Sequence, residues 1–148
     1  MQALARLLCA VSLGLGGAGA LWAAGEAGTV KTSKGSVTIE RAGQKLAAPV
    51  GTQIYAADAV LTGADGVVGI TLRDNTILSA GPNSRVDLNK FAFDSTTHAG
   101  AIDASVRRGT LSVSSGKIAK ASPGNVSFSA PGMTLGVRGT TFLIDAGQ

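Results

Sequence analysis

The chain has 148 residues, room for one domain, with 13 Lys+Arg against 9 Asp+Glu and a net charge of +4. Charged residues are only 15% of it, and apart from Arg107-Arg108 the basic ones stand singly with no aromatics between them, which argues against a nucleic-acid surface. Cys9 is the only cysteine, so neither a disulfide framework nor a cysteine metal site can be built.

Residues 1–24 read as a signal peptide. Arg6 supplies a short positive region, Leu7 to Leu21 is apolar or small apart from Ser12, and Trp22-Ala23-Ala24-Gly25 offers small residues for cleavage near Ala24. The apolar run is interrupted by glycines and is shorter than the roughly 20 residues of a spanning helix. Cys9 comes too early to be a lipidated cysteine. The expected mature chain is periplasmic or secreted, without a membrane span and without a thiol.

A second segment, residues 28–148, reads as one all-β domain. Val30 and Thr32, then Val37 and Ile39, flank Lys34-Gly35, which predicts a first hairpin. Ala42-Gly43-Gln44 and the cluster from Thr62 to Gly66 are further turns. Val67 to Leu72 and Thr76 to Ser79 form a pair about Asp74-Asn75, a register that sets Leu72 opposite Ile77. After Gly81-Pro82-Asn83, Val86, Leu88, Phe91 and Phe93 predict a strand bulged near Asn89-Lys90. Asp94 to Gly100 is the most polar loop. Ile102, Ala104 and Val106 alternate up to a turn at Arg107-Arg108-Gly109, and Leu111 and Val113 continue to Ser114-Ser115-Gly116. Ser122-Pro123-Gly124-Asn125 is a breaker, and Val126 and Phe128 lead to Ala130-Pro131-Gly132. Apolar positions at Leu135 and Val137, then Phe142 and Ile144, predict two strand-like halves joined by a bend at Gly136 and Gly139. No long helix fits, since Gly or β-branched residues break every window. Units of about ten residues favour a sandwich, barrel or coil-like solenoid.

Several of these stretches carry a family resemblance. Asp58-Ala-Val-Leu-Thr62-Gly63, Val67 to Leu72 followed by Asp74-Asn75-Thr76, Pro82-Asn83-Ser84, Arg108-Gly109-Thr110-Leu111, and Pro131 joined to Val137-Arg138-Gly139-Thr140-Thr141-Phe142 resemble, in order, the FecR domain family. The last run is the most specific. The resemblance implies a periplasmic module of stacked short strands and hairpins, β-solenoid-like or sandwich-like, in which these residues have structural roles. One departure is Asp74-Asn75-Thr76 where the family commonly shows Asp-Gly-Thr. Another is architectural. The family's best-known members are transmembrane regulators that relay the state of an outer-membrane receptor to a sigma factor, whereas this chain is expected to be the extracytoplasmic module alone.

Enzyme chemistry finds little support. His98 is the only histidine, in a polar loop without a companion base or nucleophile, so a solvated loop residue is the simpler interpretation. The aspartates fall mostly at turns, where local hydrogen bonding accounts for them, and nothing selects one pair as glycosidase carboxylates. One histidine and dispersed carboxylates make no zinc site, and Ser115-Gly116-Lys117 lacks the spacing of a phosphate loop. The expectation is a non-enzyme without cofactor or metal. For Arg138 a structural partnership with Asp58, Asp65 or Asp74 outweighs an anion or partner contact.

The function expected is protein–protein interaction in the cell envelope, in signalling or regulation, with a self-associating envelope structural or assembly protein as the alternative. The candidate partner edge is the final strand, at Thr140, Thr141, Leu143 and Asp145, because an apolar-rich terminal strand is a template for strand addition.

Overall fold

The computed structural model describes residues 26–136 and 141–147. The leader at 1–24 and the positions Val137, Arg138, Gly139 and Thr140 lie outside the described residues. The strands are β1 (Glu26–Lys34), β2 (Val37–Arg41), β3 (Gln44–Ala47), β4 (Gln53–Tyr55), β5 (Ala59–Thr62), β6 (Val67–Leu72), β7 (Ile77–Ala80), β8 (Arg85–Phe93), β9 (Gly100–Ser114), β10 (Val126–Ala130), β11 (Met133–Gly136) and β12 (Thr141–Gly147). Between β9 and β10 lie a single helical turn, α1 (Lys117–Ala121), and a 3-10 turn at Pro123–Asn125.

The all-β expectation holds. The strands form a curled, mainly antiparallel half-barrel. One side runs β4-β1-β6-β7-β9-β12. The other runs β3-β2-β5-β8-β9-β10-β11, with β10 parallel to β9. Strand β9 belongs to both: its first half lies between β8 and β10, and its second between β7 and β12. Alternation along each strand sends one set of side chains inward, including Val30, Ile70, Leu78, Leu111 and Ile144 from the first side and Ile39, Val86, Ile102, Val106 and Phe128 from the second. Between them remains a void of about 10 Å³, about the least that holds a water. The core is filled by its own side chains.

Three sequence expectations are corrected. Lys34-Gly35 is not a hairpin turn, because β1 pairs with β4 and β6 while β2 pairs with β3 and β5. It is a corner from one side to the other. Gly35 has φ +66, and a Cβ there would meet the backbone oxygen of Asp65. The neighbouring corner latches onto it, with Ser36 N–H donating to Asp65 Oδ1 (3.2 Å) and Gly63 N–H to Ser36 O (2.9 Å).

The second correction is a register. Asn75, at φ +73, closes a three-residue loop in which Leu72 N–H donates to Thr76 O, and Ile77 then pairs with Thr71. A one-residue slip exchanges faces, so Leu78 is 4% exposed and Ile77 46%. The third concerns Arg107-Arg108-Gly109, which does not turn the chain. Gly109 (φ +81) stands within β9 where the strand passes from one side to the other.

Other features agree with their sequence signals. The β8–β9 register shifts between Leu88 and Lys90, the expected bulge. Ala42-Gly43 closes a two-residue hairpin between β2 and β3, with φ 53° and 79°. Pro131-Gly132 does the same between β10 and β11.

Candidate functional site

The buried polar side chains among the described residues are Asp58, Thr62, Asp74, Thr76 and Ser84. All lie in the stretches that carry the family resemblance. Each belongs to a hydrogen-bonded bracket that ties a loop to a distant strand.

The Asp58 carboxylate, 1% exposed, accepts from Arg41 Nε (2.9 Å) and Nη2 (2.8 Å) and from the backbone N–H of Tyr55 (2.9 Å). A guanidinium fork matches two carboxylate oxygens at once. Arg41 also lies 4.7 Å from the centre of the Tyr55 ring, a cation–π arrangement. Its hydrogen bond to Asp58 and that residue's charge raise its pKa further above the ordinary guanidinium value, against the opposing effect of burial. The sequence offers Asp58, Asp65 or Asp74 as partners of Arg138, which lies outside the described residues, and does not single out Arg41. Its signal is its place at the end of β2, just before the Ala42-Gly43 turn.

Thr62 and Ser84 form the second bracket. Thr62 Oγ1 donates to Gly81 O (2.7 Å) and accepts from Ser84 N–H (2.8 Å), and Ser84 Oγ accepts from Thr110 N–H (3.0 Å). Asn83 N–H closes the circuit on Gly63 O (2.9 Å). A Cβ at Gly109 would lie 2.1 Å from Ser84 Oγ, so this approach needs glycine. In the third bracket Asp74 accepts from Thr76 N–H (3.1 Å), Thr76 Oγ1 (2.8 Å) and Ile118 N–H (3.1 Å), while Thr76 Oγ1 accepts from Gly116 N–H (3.1 Å). This fastens α1 to the β6–β7 loop and drives Ile118 into the core. Among the described residues no buried side-chain nitrogen or oxygen lacks a partner. The brackets hold the fold.

His98 is exposed in the β8–β9 loop, at φ 64°, and stacks on Phe93 at 6.1 Å. The described residues contain no group of three or more potential metal ligands. On the outer face of the second side, Glu40, Arg85, Asp87 and Arg107 form a chain of ion pairs at 3.0–3.5 Å beside a shallow groove of about 310 Å³. These partly exposed pairs satisfy one another, as on an ordinary solvated face.

The C-terminal strand is different. β12 pairs with β9 along one side, from Thr141↔Ser114 to Gly147↔Gly109, and along its other side has no partner among the described strands. Phe142, Ile144 and Ala146 face inward, and Phe142 packs edge-on against Phe128 at 5.4 Å. Thr141, Leu143 and Asp145 face out, and Leu143 is 67% exposed, more than any other exposed large apolar residue of the described chain. Of the proposed edge residues the structure thus places Thr141, Leu143 and Asp145 on one exposed rim. Thr140 lies outside the described residues.

No helix among the described residues is long and apolar enough to cross a membrane. No curated protein matches the chain. Among solved structures it is similar to one described as a cell surface anchoring domain, at 33% identity over 43% of this chain and 84% of that one, with a TM-score of 0.41. Residues 58–148 match the family described as FecR protein, beginning at the bracket residue Asp58 and running through β12. That match spans more than half of the sequence, and the chain belongs to the FecR family.

Proposed function

We propose that this protein is a non-catalytic, extracytoplasmic module of the cell envelope that works by protein–protein contact, exported by a leader at residues 1–24 to the periplasm or beyond. Membership of the FecR family supports the envelope assignment. The satisfied brackets and the filled core favour a scaffold over an enzyme. The observation that carries the reading is the β12 edge, a strand side without a partner among the described strands, next to an exposed leucine. Strand addition there would supply main-chain hydrogen bonds for affinity and side-chain contacts for selectivity.

The test is photo-crosslinking in the producing cell, with a photoreactive residue in place of Leu143 and, as control, of His98. Adducts from position 143 and none from position 98 are expected. Adducts only from the His98 loop would move the contact to the other end of β9 and overturn the reading.

A further inference from the structure

Among the described residues the two sides of the fold present four edge strands, and three of them are blunted. β3 carries Lys45, and β4 and β11 have three and four residues. Charges and short length are the usual protections against edge pairing. β12 has seven residues, with no charge and no proline from Thr141 to Ile144, and its register shift lies only at the far end, between Asp145 and Gly147.

We infer that the occupant of this edge is a second copy of the chain, its β12 pairing antiparallel with the first about a two-fold axis at Leu143. This rests on reading β12 as the contact edge. What selects a copy is that the segment Thr141-Phe142-Leu143-Ile144-Asp145 is chemically self-complementary when reversed. In that register Thr141 lies opposite the copy's Asp145, a hydroxyl donor against a carboxylate. Phe142 lies opposite Ile144, an aromatic against a β-branched side chain on the inner face, a favourable cross-strand pair. Leu143 meets Leu143, each covering the other's exposed surface. No like charges face each other. Shifting the pairing by two residues one way sets Leu143 against Asp145, and shifting by one residue sets inward positions against outward ones. The half-buried Phe142 ring still has surface to lose at such a contact. The result is a closed, isologous dimer.

The experiment is light scattering on the purified protein across a concentration series, with variants placed by the register. The wild type should reach twice the chain mass. Leu143→Lys sets two ammonium groups against each other and should lose the dimer, whereas Thr141→Lys faces the copy's Asp145 and should keep it. Both residues are exposed, and an unchanged far-UV circular dichroism spectrum will show that the variants fold. In a Cys9→Ser background, Leu143→Cys should cross-link to itself under oxidation, since directly opposed Cα atoms lie about 4.5–5.5 Å apart. Asp145→Cys should not, because its copy lies four residues away, roughly 13 Å along the strand. A monomer at every concentration, a dimer that survives Leu143→Lys, or equal cross-linking of the two cysteines would overturn the inference. If the chain is monomeric while adducts at position 143 in the cell contain a different protein, the copy is excluded and the contact edge stands. If no adducts form there at all, both fall.

Discussion

Asp58 shows how a single buried charge organises its surroundings. Its carboxylate is almost fully covered while Arg41 keeps 38% of its side chain in solvent, so the two partners are not equivalent. Removing the arginine leaves an anion buried with one backbone N–H for company. Removing the aspartate frees a cation that water can reach. Arg41→Ala should therefore cost about 3 kcal/mol, toward the range for breaking a buried pair, and Asp58→Ala about 2 kcal/mol, chiefly for the stranded Tyr55 N–H. Urea melts of the two variants measure this. Equal losses below about 0.5 kcal/mol would mean that the bracket is no more than a surface ion pair.

The β6–β7 hairpin illustrates how one turn residue decides an entire element. Because Asn75 adopts a left-handed conformation, the loop takes three residues, and every later side chain of β7 changes face. Leu78 then belongs to the core beside Val113, its partner on β9, while Ile77 points outward next to Ser114. Leu78→Ala should cost about 2–4 kcal/mol by leaving a cavity, and Ile77→Ala less than about 1 kcal/mol, in the range of surface changes. Thermal or urea denaturation separates the two. The opposite order would restore the two-residue turn that the bare pattern suggests. β12 has the same inward and outward alternation, but with only one neighbour among the described strands its outer set remains available for contact.

Across the whole molecule, the chain passes repeatedly from one side of the half-barrel to the other, and β9 ties both sides together. Most pairings join residues far apart in sequence, which predicts refolding in milliseconds to seconds rather than microseconds. The family match begins at Asp58, yet β1 pairs with β6 and β2 with β5, so the residues before the match are woven into both sides. The proposed export is tested at this scale too. If the leader is removed as proposed, the mature protein should begin close to Gly25, which mass spectrometry of its N-terminus checks. A chain recovered from the cytosol still starting at Met1 would remove the envelope assignment.

The alternation of apolar residues, the punctuation by Gly, Pro and Asn, and the motifs around Asp58, Asp74 and Gly109, together with the more specific run from Val137 to Phe142 joined to Pro131, were enough to predict an all-β member of the FecR family with a bulge near Asn89. These are local signals, because the period of a strand and the φ of a turn residue are set within a few residues. Only the tertiary structure decided which turns are hairpins and which are corners. A strand that folds back beside its predecessor and one that crosses to the opposite side need the same inward alternation, so the pattern around Lys34-Gly35 or Arg108-Gly109 reads alike in either case. It also decided that Asp58 pairs with Arg41 and that Leu143 lies on a strand with one neighbour among the described strands, since both depend on neighbours brought together from far along the chain.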